Sequence, residues 1–400
     1  AKLMVVQDFG EEAAVVEEMT RFKGNFASFL VDLPALEKGK DHAVGVILFD
    51  ANKRIVGEQY LSDPIRQVDL PWKDSRAGLN DVVWEPFTAI QTGESGFETL
   101  KHRIELAACG LPAQIVIKPH LRDLPLERRA PGSAPLSDAE LVELGRGPQL
   151  QQGFKLVGIV DGTPVEATVT SPTKLVRKWK SEHEYVTGLA IGPVTADLTV
   201  QYDCDGSLHA RLEYTGKKGA QIDGLQMRAT FQGQTDLVTW TPGGGMAGAP
   251  RWDCSLPAGE GTVWDSATTM ERPELYYTRF VPLLWFGSGD RAFTWMADWD
   301  RGWMLDRDGS AMTLEREANG NITWRTRFIN HPVTLDGRTR TIEFDFLVHP
   351  AKPKPDNWRA HAWFYRGQWA RFYGKTPLDL PDDFLLGEKA RAQTGVVPGK

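Results

Sequence analysis

The feature that most constrains this chain is a two-residue alternation of apolar and polar side chains, repeated in short runs between residues 154 and 348. Leu208, Ala210, Leu212 and Tyr214 alternate with His209, Arg211 and Glu213. Ile322, Trp324, Thr326 and Phe328 alternate with Thr323, Arg325 and Arg327, and Ile342, Phe344, Phe346 and Val348 with Glu343 and Asp345. Two further runs, Leu225-Met227-Ala229-Phe231 and Val165-Ala167-Val169, follow the same rule. A strand points successive side chains to opposite faces, so each run has one face for a core and one for water. Asp161-Gly162, Asp205-Gly206, Asn319-Gly320 and Asp336-Gly337 punctuate the runs with pairs suited to tight hairpins. Many short strands at this spacing make a sandwich or barrel. The expected class is all-β: a small N-terminal β-sandwich, a large antiparallel β-sandwich, and an aromatic-rich C-terminal tail.

At 400 residues the chain exceeds one ordinary domain. Residues 1–68 read as the small domain, with a strand at 44–49, a turn at 50–53 and a partner strand at 54–60. The Ala and Glu content of 11–21 suits a short helix, while Val15 and Val16 suit a strand. Pro64 and the Asp69-Leu70-Pro71-Trp72 run mark a boundary, and residues 69–350 form the large domain. Within it, 102–107 and 114–117 read as strands. Ser137 and Glu140 have capping-box spacing for a helix that Gly145 can end. Residues 351–400 open on a Lys-Pro-Lys-Pro linker and continue into a patch containing Trp358, Trp363, Tyr365 and Trp369. Such a patch needs a surface to cover it, so the segment is expected to pack on the sandwich, to dock on a partner or to begin another domain.

A net charge of −7 argues against a nucleic-acid partner, which needs a basic face. The basic run at 174–180 is better explained as a strand edge protected by lysines. No apolar run reaches the roughly 18 residues of a membrane span. Residue 1 is Ala, which signal cleavage leaves and other processing leaves equally. Cys109, Cys204 and Cys254 lack metal spacing; at most one disulfide can form, and Cys204–Cys254 is the favoured pair. The eight histidines show no H-x-x-x-H or H-x-H spacing. The glycine-rich 241–250 stretch lacks the end of a phosphate loop, and no G-x-S-x-G elbow is present. No cofactor and no metal is expected.

Residues 280–303 concentrate the rest of the signal. Residues 281–286 and 291–298 read as two strands, joined by a turn containing Gly287, Gly289 and Asp290. Phe293, Trp295 and Ala297 share one face; Ala292, Thr294, Met296 and Asp298 share the other. The strand ends in a tip where Trp299, Asp300, Arg301 and Trp303 mix indole rings with charge. Sugars are held by such groups, stacking C–H faces on indoles and pairing hydroxyls with charged side chains. These four residues are the candidate carbohydrate contacts. Asp298 and Asp300 stand at i and i+2, a carboxylate pair of the kind sugar hydrolysis requires, although turn capping accounts for them as well. No catalytic residue is assigned. Asp306 and Asp308 begin a calcium-loop pattern that lacks its later Glu, so a hairpin turn is expected there.

The blocks at 46–59, 84–87, 105–119, 279–303 and 346–359 together resemble the N-terminal β-sandwich region of large, mostly uncharacterised multidomain glycoside hydrolases. Those proteins are similar in layout to the N-acetyl-β-galactosaminidases of glycoside hydrolase family 123. The resemblance spans roughly residues 40–359 and implies a secreted, periplasmic or cell-envelope protein that processes carbohydrate. It also implies that the catalytic carboxylates lie on a (β/α)₈ barrel, which these residues do not contain. The expected function is therefore the non-catalytic β-sandwich portion of a glycoside-hydrolase-type protein. Its partners would be carbohydrate and a catalytic barrel, domain or chain, docking on 351–400. The alternatives are an assembly protein of the cell envelope and a self-sufficient glycosidase with its site on the sandwich face.

Overall fold

The computed structural model describes residues 2–7, 14–18, 38–60, 65–72, 75, 80–119, 132, 134, 136–144, 146–233, 235–241, 252–269, 279–288, 291–306, 308–351, 363–366 and 369–372. The fold is nearly all β. The chain divides into two compact units, Ala1–Asn80 and Asp81–Lys400.

The first unit is an antiparallel sheet ordered Ala14–Glu18, Lys2–Gln7, Asp41–Phe49, Ile55–Tyr60, with Ile65–Arg66 paired on the start of Asp41–Phe49. Asp50 shapes the expected turn, its Oδ1 accepting from the backbone N–H groups of Asn52 and Arg54 at 2.8 Å each. Of the two readings open for 11–21, helix or strand, the structure has the strand Ala14–Glu18 where it describes the segment. There the β-branched Val15 and Val16 outweigh Ala and Glu, because a neighbouring strand is available to pair.

The second unit is a sandwich of two antiparallel sheets. The smaller sheet has six strands, ordered Thr163–Glu166, Leu150–Val160, Gly224–Phe231, Ile322–Ile329, Met312–Arg316, Gly261–Asp265. The larger sheet has nine, ordered Thr168–Lys178, Glu182–Ile191, Val194–Asp203, Leu208–Gly216, Thr339–His349, Arg291–Met296, Leu283–Ser288, Leu237–Thr241, Trp252–Ser255. Aromatic rings join the two across one core. Phe154 of the smaller sheet stacks on Phe346 of the larger at 4.5 Å, and Trp324 meets Phe293 and Trp295 at 5.2 Å each. Such ring pairs add to the area they bury.

A further sheet, Gln91–Thr92 to Gly147–Pro148, extends the same core through Phe97, Ile104, Leu111 and Ile117. Tyr202 ties it to the sandwich by donating to the Gly110 carbonyl at 2.8 Å. The one helix among the described residues, Asp138–Glu143, carries the expected capping box, Ser137 bonding the Glu140 N–H and Glu140 the Ser137 N–H. None of the described helical residues forms a span long and apolar enough to cross a membrane.

Three expectations are corrected. The alternating run at 165–170 is not one strand: the chain leaves the smaller sheet after Glu166 and enters the larger at Thr168. Gly287 lies within the strand Leu283–Ser288, not in the turn, and pairs with Ala292 and Leu237. None of the three cysteines forms a disulfide. Cys204 follows Val194–Asp203, and Cys254 lies on Trp252–Ser255, with five strands between them in the larger sheet. That separation is about 29 Å, far beyond disulfide reach. Residues 289–290 and 242–250 fall outside the described residues, as does most of 351–400, where Trp363–Arg366 pairs with Trp369–Phe372.

Candidate functional site

The outer face of the larger sheet carries a dense row of polar side chains. Pairing places Glu184 opposite Gln201, Gln201 opposite His209, His209 opposite Asp345, and Asp345 opposite Met296. Their inward neighbours Tyr185, Val200, Ala210, Phe344 and Trp295 are buried, which fixes this row on the outside. His209 Nδ1 lies 2.9 Å from Asp345 Oδ1, and that contact is the main cause that raises the histidine above its ordinary value. One step along the face, Glu182 is opposite Asp203. Gln201 Nε2 donates to Glu182 Oε2 at 2.8 Å, and Arg177 pairs with both Glu182 and Glu184. Burial, then the charges of Asp205 and Glu182, push the Asp203 carboxyl up to about 6.

An aromatic platform shares this face. Trp285 is opposite Thr294, and Thr294 opposite Leu347, so the half-buried indole stands one row from Asp345. Thr294 Oγ1 bonds His349 Nε2 at 2.8 Å. An open sheet face with an indole, a carboxylate–imidazole pair and a carboxyl that takes up protons near neutrality can hold a polyhydroxylated ligand and exchange protons with it.

The tip at 298–303 continues from the strand that carries Met296. Trp299 is 51% exposed, and Arg301 is also exposed. Asp300 is half-buried, its carbonyl accepting the Trp303 N–H at 3.0 Å. Gly302 turns the chain inward at φ +82°, packed so closely that a Cβ there would lie 2.2 Å from the Thr341 carbonyl oxygen. Tyr214 Oη donates to the Gly302 carbonyl at 2.7 Å. Trp303 is thereby carried into the core, 9% exposed, with ring centroids of Phe328 and Phe280 at 4.9 and 5.1 Å. Trp299, Asp300 and Arg301 therefore remain at the surface, while the Trp303 ring is occupied by neighbouring rings. Asp306 shapes a local turn, its Oδ1 accepting the Asp308 N–H at 3.0 Å. Among the described residues no group of three or more His, Cys, Asp or Glu side chains stands close enough to hold a metal ion.

No family model matches the chain, and no curated protein matches it. Solved structures that resemble it include the galactosidase domain of an alpha-galactosidase–sucrose kinase, at 11% identity and a TM-score of 0.36. That match covers 66% of this chain, which spans only 42% of the galactosidase chain. A protein assigned as an aldose 1-epimerase from Escherichia coli K12 matches at 8% identity and a TM-score of 0.32, over 66% of this chain and 98% of that one. The Slr1438 protein of Synechocystis sp. PCC 6803 matches at 9% identity and 0.33, over 65% and 99%. Likeness at this level carries no argument about activity.

Proposed function

We propose that the chain is the non-catalytic β-sandwich portion of a carbohydrate-processing protein of glycoside-hydrolase type, and that glycan lies on the outer face of its larger sheet. The observation that carries this reading is the cross-strand row Glu184–Gln201–His209–Asp345, with the Trp285 indole on the same face. Charged acceptors and donors serve the sugar hydroxyls, and the indole serves a C–H face. The exposed Trp299, with Asp300 and Arg301, extends the contact from the end of the neighbouring strand. The partner in this proposal is a catalytic barrel docking on residues 351–400, and its place is outside the cytoplasm.

Titration of the purified chain with neutral oligosaccharides, followed by tryptophan fluorescence and calorimetry, tests it. Saturable binding is expected, weakened at least about ten-fold by Asp345→Asn and several-fold by Trp299→Ala, because a hydrogen bond to a charged group is worth about 1.5–3 kcal/mol and a stacked contact somewhat less. No response to any oligosaccharide at millimolar concentration would sink the reading. One feature favours a second reading, a self-sufficient glycosidase on this face: Glu182 stands directly opposite Asp203, and burial with the neighbouring carboxylates pushes the Asp203 carboxyl up to about 6, the direction a general acid needs. Turnover of a chromogenic glycoside by the same preparation, lost in Asp203→Asn, would establish it; no turnover across the panel leaves the non-catalytic role.

A further inference from the structure

The outer face of the smaller sheet is chemically different. Pairing puts Lys155 directly opposite Arg228, and Arg228 directly opposite Arg325, so cations stand side by side on adjoining strands. Like charges placed opposite one another destabilise a sheet. Arg327 stands one step further along the strand of Arg325, and burial, with the Arg325 charge adding to it, lowers its guanidinium from the ordinary value. The carboxylates near this row, Glu166, Glu315 and Asp265, are fewer than the four cations Lys155, Arg228, Arg325 and Arg327 and answer only part of their charge. Glu166 accepts from Lys155 at 2.9 Å and from Arg228 at 3.2 Å; Glu315 accepts from Arg325 at 2.5 Å.

A groove of about 510 Å³ opens over this row. That size is in the range of ligand sites. Its lining holds the guanidiniums of Arg228, Arg316 and Arg325, the carboxylates of Glu315 and Glu317, and the polar groups of Gln152, Thr230 and Thr323. Apart from Gly261, every lining residue has a polar side chain, and no aromatic ring is among them. The carboxylates are already engaged, Glu317 taking the Thr323 hydroxyl at 2.9 Å. The guanidiniums are not saturated. Each has five N–H donors. Arg228 directs one nitrogen to Glu166, Arg325 one to Glu315, and Arg316 one to the Thr235 and Pro257 carbonyls. The Nε atoms of all three are buried with no hydrogen-bond partner.

We propose that this groove binds an acidic saccharide, one bearing a carboxylate or a sulfate ester, with Arg228 and Arg325 as the paired recognition groups. A planar guanidinium matches either anion with two parallel hydrogen bonds. The ligand's charge also relieves the repulsion between the adjoining cations. Beyond the cation row, pairing sets Gln152 opposite Thr230, Thr230 opposite Thr323, and Thr323 opposite Glu315. Thr230 and Thr323 hydroxyls lie 2.8 Å apart. With its carboxylates engaged, this row offers sugar hydroxyls the exposed Gln152 amide and the remaining lone pairs of the threonine hydroxyls. The groove lies on the opposite sheet from the face proposed above; only the saccharide character of its ligand rests on that reading.

Calorimetry on the full chain tests the groove with four probes: trigalacturonate, a sulfated disaccharide, neutral cellotriose and sodium sulfate. At least one acidic saccharide is expected to bind, and to lose about ten-fold or more in affinity in Arg228→Gln and in Arg325→Gln. Raising salt from about 0.05 to 0.5 M weakens it, because the contact is ionic. Thr323→Ala, which keeps every charge, is expected to weaken it several-fold and guards against an arginine variant that fails to fold, as judged by circular dichroism. Cellotriose binding, where present, is unaffected by all three substitutions. Acidic binding that is unchanged in folded Arg228→Gln and Thr323→Ala overturns the proposal. So does sodium sulfate alone binding as tightly as the saccharides. Binding of neutral but not acidic saccharides overturns this inference alone, whereas no binding of any saccharide overturns the carbohydrate reading with it.

Discussion

Asp203 and His102 answer pH with opposite signs. The Asp203 carboxyl is pushed by burial from 3.8 to about 6, so between those values the folded chain holds a proton that the unfolded chain has released. Its contribution is fully present below about pH 4 and is lost as pH rises through 6. His102 is fully buried, and burial lowers it from 6.5 to about 4. There the unfolded chain binds the proton first, so stability is present above pH 6.5 and is lost as pH falls through 4. Urea unfolding between pH 4 and 7.5 separates the two. Asp203→Asn is expected to stabilise the chain at pH 7 by about 1 kcal/mol, after allowance for solvent screening, and by nothing at pH 4. His102→Phe is expected to remove the loss of stability between pH 6.5 and 4, leaving the Asp203 response intact. The same slope in both variants would contradict the assignment. His102 also shows how little a lone residue type conveys: its burial follows from Gly206, where a Cβ would lie 2.2 Å from His102 Nδ1.

At the scale of the element, the strand Arg291–Met296 and its tip depend on Gly302. Any side chain there must adopt φ +82° and also displace the Thr341 carbonyl. Gly302→Ala is expected to cost about 1–3 kcal/mol, read as a lower unfolding midpoint, and to alter the emission of Trp299 by shifting the tip. An unchanged midpoint and spectrum would show that the tip is not anchored there. The inward faces of 208–214, 322–328 and 342–348 were readable from sequence, because each strand buries one face and a two-residue period reports which. The period does not report which sheet a strand joins, so the crossing at Ala167 was invisible. Nor does it distinguish an indole at the surface from one in the core, and Trp299 and Trp303 took opposite fates only four residues apart, on either side of Gly302. The row of Glu184, Gln201, His209 and Asp345 had no local signal, since only strand pairing brings residue 345 beside residue 209.

For the whole molecule, the large core belongs to one unit. Every member of the main hydrophobic cluster lies between Ile90 and Val348, within Asp81–Lys400. The cross-sheet ring contacts of Phe154 with Phe293 and Phe346, and of Phe293 with Trp324, are complete inside it. Both proposed saccharide surfaces also lie wholly within that unit. Among the described residues, the strand pairs and ring contacts named for those surfaces all belong to Asp81–Lys400. Differential scanning calorimetry of the 81–400 chain is expected to show the main transition within about 3 °C of its midpoint in the full chain, since a shift of that size in a unit this large corresponds to about 1 kcal/mol. Its saccharide affinities are expected to match those of the full chain. A fall of more than about 10 °C would mean that residues 1–80 carry stability for the sandwich, and the two surfaces would then have to be studied only in the intact protein.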